Sequence, residues 1–541
     1  MKSLVIFLLT LFFIVSAASS GRVVSENLAE CIANRSNTSY PRSIQTIFHP
    51  ESPLFASLLD SRVQNMRYMN NATSRRPQPL LILTPSHETE IQSALLCCRD
   101  HGVELRIRSG GHDYEGLSYF SSSASYYIVV DLFNLNDVQL DLESETAWVQ
   151  AGARLGELYY AIAKQSTSAP MAFPAGICPT VGLGGHIGGG GLGTLTRKHG
   201  LAADNVLDAY LMDARGRILN RKSMGEDVFW AIRGGGAASF GIVLSWKLKL
   251  VRVPPKLTFF KVSTTLEEGD RSNKLIHKWQ RFAHDAPEDL FVRTVILKVD
   301  GSKKANNKKT IQTTFESLFL GTVEKLIPLM KQSFPELGLT AGNCTEGSWA
   351  ESTLFFSGYK QGSPLEVLLD NTEIQRAKFK AKSDFVTEPI PESGFEGMWE
   401  IAMEEDKPIV ILEPFGGRMS RIHESYTPFP HRKGYLYNIQ YLVKWEGDGV
   451  EEEQRHLKWM NKLYNYMEPY VSKSPRAAYL NYRDLDLGTN SVDGKTSFSE
   501  ASVWGAKYFK GNFKRLSETK SKFDPGNFFR YEQSIPPLFH K

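Results

Sequence analysis

Cysteine is scarce in this chain, with five residues in 541. That is too few for the disulfide framework of a small secreted scaffold, and a chain this long can bury a core without one. The number is odd, so at least one cysteine is free or bonded to something other than a cysteine of this chain. Charge of one sign is also lacking. The 63 Lys and Arg stand against 59 Asp and Glu, a net of +4, which is too even to make nucleic acid the main partner. Apolar residues at 42% and charged residues at 23% exclude a disordered, collagen-like or coiled-coil chain. No H-E-x-x-H, Walker A or C-x-x-C occurs, and the His and acidic residues show no ligand spacing, so no metal is expected. Beyond the N-terminus no apolar run reaches the ~20 residues of a spanning helix.

Met1 to Ser20 reads as a secretory signal. Lys2 is the positive start, Leu4 to Val15 the short apolar run, and Ala17-Ala18-Ser19-Ser20 the small cleavage residues. Asn34, Asn37, Asn71 and Asn343 then become candidate glycosylation sites, and an oxidising compartment permits a disulfide.

The length suggests two to four units at roughly 100–200 residues each. An N-terminal segment 21–76 ends in the linker-like Arg75-Arg76-Pro77-Gln78-Pro79. A compact α+β pattern follows over 77–253. It opens with a strand at Leu80–Leu83 and a helix capped by Ser86, with Glu88 and Glu90 in its first turn and a stop at Gly102. Leu105 and Ile107 alternate with Arg106 and Arg108, which predicts a half-buried strand. Pro254-Pro255 marks a boundary. Region 254–475 carries helical stretches at Ser272–Ala283 and Val323–Gln332 and a strand at Tyr435–Trp445. A C-terminal segment spans 476–541.

The 43 glycines are concentrated. They cluster at Gly110-Gly111, from Gly182 to Gly193, and at Gly234 to Gly236. Glycine costs backbone entropy, so such runs need a reason. Without Cβ atoms a ligand can approach the backbone, and successive N–H groups can cradle a pyrophosphate. Three clusters within 130 residues point to a large anionic cofactor. Gly188, Gly190 and Gly193 form a literal G-x-G-x-x-G, but no continuous apolar strand precedes it, so a Rossmann reading fails. Ala237-Ala238-Ser239-Phe240-Gly241 falls short of a nucleophile elbow, because a strand follows where a helix is needed.

Four segments, in order, carry a resemblance. Arg108-Ser109-Gly110-Gly111-His112-Asp113-Tyr114-Glu115-Gly116 resembles a flavin-attachment segment of berberine bridge enzyme-like proteins. Cys178-Pro179-Thr180-Val181-Gly182, with Gly184-Gly185-His186, resembles their second one. Asn481-Tyr482-Arg483-Asp484-Leu485-Asp486 and the tail Asp524-Pro525…Asn527-Phe528-Phe529-Arg530 also match. The similarity covers about Cys31 to Pro537 and extends to the cannabinoid oxidocyclases and the FAD-containing plant Diels–Alderases. It implies an α+β protein: a vanillyl-alcohol-oxidase-type (PCMH) FAD-binding domain, and a substrate domain with an antiparallel sheet.

The resemblance also implies bicovalent FAD, through His112 to the flavin 8-methyl carbon and Cys178 to ring carbon C6. Arg108, Ser109, Gly110, Gly111, Gly182, Gly184, Gly185, His186, Gly188, Ile242 and Asn527 are expected around the cofactor. The implied reaction is hydride transfer from a small-molecule substrate to flavin N5, with dioxygen as the second partner and hydrogen peroxide as product. The expected locations are the apoplast or the vacuole, with no membrane partner once the signal is removed. Val181 occupies a position associated with oxygen access. Tyr482 matches a base or its partner, and Tyr114 another active-site tyrosine. A free Tyr titrates near 10, so Tyr482 needs help to act as a base.

Two departures matter. Asn438 stands where relatives carry Glu or Lys, and Leu192 where many carry Tyr. On the expected strand Asn438 and Gln440 share a face, and Tyr482 is left as the main candidate base. Rival readings stay open: an FAD oxidase of an alcohol, sugar or prenylated phenolic; a redox-neutral Diels–Alder cyclase using the pocket for orientation; or a cofactor-loaded binding protein. The resemblance pairs Cys31 with Cys97. Cys98 lies ~100° round the same helix, which leaves Cys98 and Cys344 as free, buried thiols.

Overall fold

Helix Glu88–His101 shows how local chemistry sets the first module. Its N-terminus is held by Glu90, whose carboxylate accepts from the N–H of Ser86 at 2.7 Å and of His87 at 3.1 Å. The capping group is therefore Glu90 at the positive end of the helix dipole, not the Ser86 hydroxyl. Gly102 ends the helix at φ +67°, a conformation that favours glycine.

The computed structural model describes residues 21–36, 46–69, 77–269, 271–302, 308–370, 376–492 and 494–538. The expected signal segment, the sequons Asn37 and Asn71, and Arg75-Arg76 of the expected linker lie outside the described residues.

Helix Glu88–His101 packs against a four-stranded sheet ordered Ile47–Phe48, Ile82–Leu83, Tyr127–Asp131, Glu104–Arg108. Tyr127–Asp131 runs parallel to both of its neighbours. In Glu104–Arg108 the alternation inverts the expected one. Arg106 and Arg108 are the fully buried pair, while Leu105 and Ile107 are half-buried and line a cavity. The buried cations are stable there because each has an acid. Arg108 donates to Asp131 at 2.6 Å and to the carbonyls of Leu58 and Leu59, and Arg106 pairs with Glu532. A second, five-stranded antiparallel sheet contains Thr146–Gln150, Val206–Met212 and the long Ile242–Lys249.

The third sheet has seven antiparallel strands in the order Cys344–Gly347, Leu257–Thr265, Lys309–Phe319, Leu290–Asp300, Pro408–Pro414, Tyr437–Trp445, Lys378–Val386. Period-2 alternation divides its faces. Tyr437, Ile439, Tyr441 and Val443 join Val410 and Leu412 in a core with helices Arg271–Asp285, Glu392–Met403 and Val450–Met467. The opposite face carries Arg293, Ile411, Glu413 and Gln440, which line a cavity. The C-terminal residues return to the first core, where Leu480, Trp504, Tyr508, Phe513 and Ile535 are buried.

Cys31 and Cys97 are disulfide-bonded across 66 residues. In a chain-entropy account a loop of that size contributes about 4 kcal/mol. Cys98 is a buried free thiol, and Cys344 is only half-buried because its short strand lies at the sheet edge.

Candidate active site

A cavity of about 380 Å³ lies between the glycine-rich segments and the polar face of the seven-stranded sheet, within the range of small-molecule sites. Two chain segments cross at its floor. A Cβ on Gly110 would sit 2.3 Å from the backbone nitrogen of Gly182, and one on Gly182 equally close to the nitrogen of Gly110. Only glycine lets these backbones meet. A Cβ on Gly189 would sit 1.9 Å from the Asn481 side chain. Beside this crossing, the N–H groups of Gly110, Gly111 and His112 meet no hydrogen-bond acceptor among the described residues. Three successive free donors within the cavity lining fit the pyrophosphate of a dinucleotide.

His112 and Cys178 stand on the same wall. His112 Nε2 hydrogen-bonds Thr180 Oγ1 at 3.0 Å, which leaves Nδ1 as the ring nitrogen outside that bond. Burial pushes the imidazole down to about 4, so it is neutral and nucleophilic at physiological pH. Cys178 has exposed surface because the cavity opens beside it, yet protein encloses it, and burial raises its thiol above the usual range. Ser109, Gly110, Gly111, Gly182, Gly184, Gly185, His186 and Gly188 all line the cavity. The Gly176 N–H donates to His186 Nε2 at 3.0 Å, and burial lowers that ring to about 4. Arg108, Ile242 and Asn527 are placed elsewhere. Arg108 is consumed by its buried ion pair. Ile242 lies between the lining residues Gly241 and Val243. Asn527 forms a turn at φ +49° just before the lining Phe528.

The far end of the cavity is aromatic and acidic. Tyr114 and Tyr482 stack in parallel, with centroids 5.6 Å apart and planes 7° from parallel. Tyr479 meets Tyr482 edge-on at 4.9 Å. Gln440 Nε2 donates to the Tyr114 hydroxyl at 2.6 Å. The Tyr482 hydroxyl donates to Glu413 Oε2 at 3.2 Å. Burial raises Glu413 above the ordinary carboxylate range, against the opposing pull of Arg293. Burial, with Glu413 adding to it, raises Tyr482 well above its ordinary value. The proton of this pair therefore rests on Tyr482 while Glu413 is ionised.

The two tyrosines are held by a buried ionic clasp. Lys380 binds Glu115 at 2.5 Å and Asp484 at 2.7 Å, so one strand residue fixes the neighbours of both rings. Arg483 bonds Asp113 at 2.9 Å. Tyr482 sits in the one-turn helix Leu480–Tyr482.

Val181 and Leu192 line the cavity. Asn438 is fully buried and outside the lining. Its Nδ2 donates to the Asp384 carbonyl at 3.0 Å, and its Oδ1 has no partner among the described residues. Its register partner on the adjacent strand is Glu413. Glu413 and Arg293 escaped sequence reasoning. A signal did exist for Glu413: it is the only charged residue in the apolar strand Pro408–Pro414. Asn34 and Asn343 are exposed.

Residues 79–221 match the family model of the FAD binding domain, and residues 478–536 that of berberine and berberine like proteins. Berberine bridge enzyme-like 22 of Arabidopsis thaliana is 51% identical, with 100% of each chain covered. The monolignol oxidoreductase AtBBE-like 13 of the same plant is 49% identical over 95% of this chain and 94% of its own. Phl p 4, a grass pollen allergen with glucose dehydrogenase activity, superposes with a TM-score of 0.87 at 44% identity, covering 95% of this chain and 100% of its own. An isoleucine-to-valine variant of that allergen is a glucose oxidase.

Proposed function

This chain belongs to the berberine bridge enzyme-like family of FAD-linked oxidoreductases, and from that premise we propose a secreted oxidase that takes a hydride and a proton from a small alcohol-bearing substrate. FAD, held by the glycine-rich wall with His112 and Cys178, would supply a two-electron acceptor for the hydride, and dioxygen with a proton would reoxidise it, giving hydrogen peroxide. The observation that carries the reading is the Tyr482–Glu413 pair in the cavity that His112 and Cys178 border.

Glu413 is the proton acceptor in this reading. Burial makes its carboxylate a stronger base than an ordinary glutamate, and Tyr482 positions the substrate hydroxyl against it. Tyr482 alone is a poor base, because burial and Glu413 both hold its proton on. Gln440 fixes the Tyr114 hydroxyl. The stacked rings of Tyr114 and Tyr482 and the apolar Leu192 and Ile411 of the same lining favour a substrate with an aromatic part, such as a phenolic allylic alcohol. Redox-neutral cyclisation is favoured by the apolar Leu192 and by the uncharged residue at Asn438. Glu413 supplies an ionisable group from the next strand.

Two tethers to FAD are supported by a neutral His112 with Nδ1 outside its hydrogen bond, and by a Cys178 thiol that opens on the same cavity. Val181, at the position the resemblance associates with oxygen access, lines the cavity and leaves room for dioxygen in this reading. The signal segment 1–20 and glycans on Asn34, Asn37, Asn71 and Asn343 complete the proposal of a secreted protein.

Anaerobic mixing with monolignols, sugars and prenylated phenolics tests the function. Bleaching of the visible flavin band, followed by peroxide release on aeration, is expected. Product formed without bleaching or peroxide overturns oxidation in favour of cyclisation. Acid denaturation tests the tethers: flavin should stay with the protein, and His112→Ala should retain it through Cys178.

A further inference from the structure

A second cavity, of about 560 Å³, opens beside helix Glu226–Ile232, and its lining is rich in cations. Three guanidinium groups are braced there by aromatic rings. Arg221 and Arg233 both lie over the Phe229 ring, at 4.5 and 4.4 Å from its centroid, and Arg515 lies 4.1 Å over Trp230. Tyr426 flanks Arg233 on another side at 5.7 Å. A guanidinium whose face is stacked keeps its edge for hydrogen bonding, and that edge matches the fork of an oxyanion.

The cations are unevenly neutralised. Arg221 pairs with Glu226 and Arg515 with Asp227, both through exposed side chains, and such pairs are weak. Asp204, the other acid of the lining, is already held by Arg432 at 2.7 Å. Arg233, Arg418 and Lys249 have no carboxylate at ion-pair distance among the described residues. Arg233 is the informative one, with only 7% of its surface exposed. Its Nε donates to the Phe229 carbonyl at 3.2 Å, the Tyr426 hydroxyl and the more distant Asp204 ease its charge only in part, and the residue lines the cavity. Burying a cation with no acid is costly unless something compensates it. None of these residues lines the flavin cavity.

We propose that this cavity binds a small multivalent oxyanion, a polyphosphate or polycarboxylate, on the edges of Arg233 and Arg418 with Lys249 and Arg515 around it. A volume of about 560 Å³ fits a compact ligand rather than a polymer. Calorimetric titration of the flavin-loaded protein with pyrophosphate, citrate and inorganic phosphate, at constant low ionic strength, tests it. Saturable one-site binding is expected. The tighter of pyrophosphate and citrate names the ligand class and should exceed inorganic phosphate at least tenfold. Arg418→Gln, at an exposed position, and Arg233→Gln should each weaken binding tenfold or more. Arg233→Lys keeps the charge but loses the fork, and should still weaken it severalfold. If Arg233→Gln fails to fold, Arg418→Gln carries the test. Absence of saturable binding, or wild-type affinity in Arg418→Gln, overturns the proposal.

Discussion

The cofactor wall and the sheet wall of the active site differ in what they present. On the cofactor side the ligand meets backbone. Gly110 and Gly182 cross so closely that neither tolerates a Cβ, and the N–H groups of Gly110, Gly111 and His112 are open. On the sheet side the ligand meets side chains on a rigid ladder: Arg293, Ile411, Glu413 and Gln440 from three adjacent strands. A backbone wall is intolerant of change where its segments cross, as at Gly110 and Gly182. A side-chain wall can be re-equipped one residue at a time while its ladder of hydrogen bonds stays intact. One face thus fixes the cofactor while the other is free to set substrate and base.

The largest expected effect is on the backbone wall. Gly110→Ala should abolish flavin loading, because its Cβ would lie 2.3 Å from the Gly182 nitrogen. Overpacking against side chains costs about 1–3 kcal/mol, and backbone yields less. The ratio of flavin absorbance to protein, with the melting temperature, measures it. Full loading in Gly110→Ala would break the contrast.

On the sheet wall, Glu413→Gln should fold and load flavin normally. It should slow anaerobic flavin reduction by on the order of 10³, the range for removing a positioned base. Tyr482→Phe should cost about 10². If Tyr482→Phe is the more damaging, the tyrosine is the base and Glu413 only its partner.

This contrast also explains what the sequence disclosed. The cofactor wall is written in short continuous motifs, because one loop places Ser109 to His112 side by side and a second places Cys178 to Gly188. The sheet wall was half legible. Gln440 and Tyr482 could be placed, since alternation orients a strand and the Asn481–Asp486 segment is distinctive. Glu413 could not, because register between strands is not encoded locally. Nothing within Pro408–Pro414 says that position 413 lies opposite Asn438. Arg106 and Arg108 misled for a related reason: their acids, Glu532 and Asp131, are remote in sequence. So did Leu105 and Ile107, which look like core but face the cavity.

A smaller effect concerns pH. Proton acceptance needs the Glu413 carboxylate, whose pKa is raised. The rate of flavin reduction should therefore fall as pH drops through a value above the ~4.3 of a free glutamate. In Glu413→Gln that acid limb should vanish, leaving a slow rate that is flat across the same range. An unchanged limb in the variant would assign it to another group.

The smallest and sharpest effect is a transplant. Asn438 and Glu413 are directly opposed, so their Cβ atoms lie about 5 Å apart. If a re-equippable wall is what the sheet provides, Glu413→Gln with Asn438→Glu should regain about tenfold over Glu413→Gln alone. Recovery is limited for a stated reason. Asn438 is buried outside the lining and donates to the Asp384 carbonyl, a bond that glutamate loses at about 1–3 kcal/mol. Part of that cost should appear as a lower melting temperature at unchanged flavin content. The partial rescue should come with a returning acid limb, since a carboxylate is again the acceptor. Rate recovery without the limb would mean that repacking, not proton acceptance, had been restored. No recovery in a stable, flavin-loaded double variant would mean that the base works only from strand Pro408–Pro414, and that the sheet wall is as position-bound as the glycine crossing it faces.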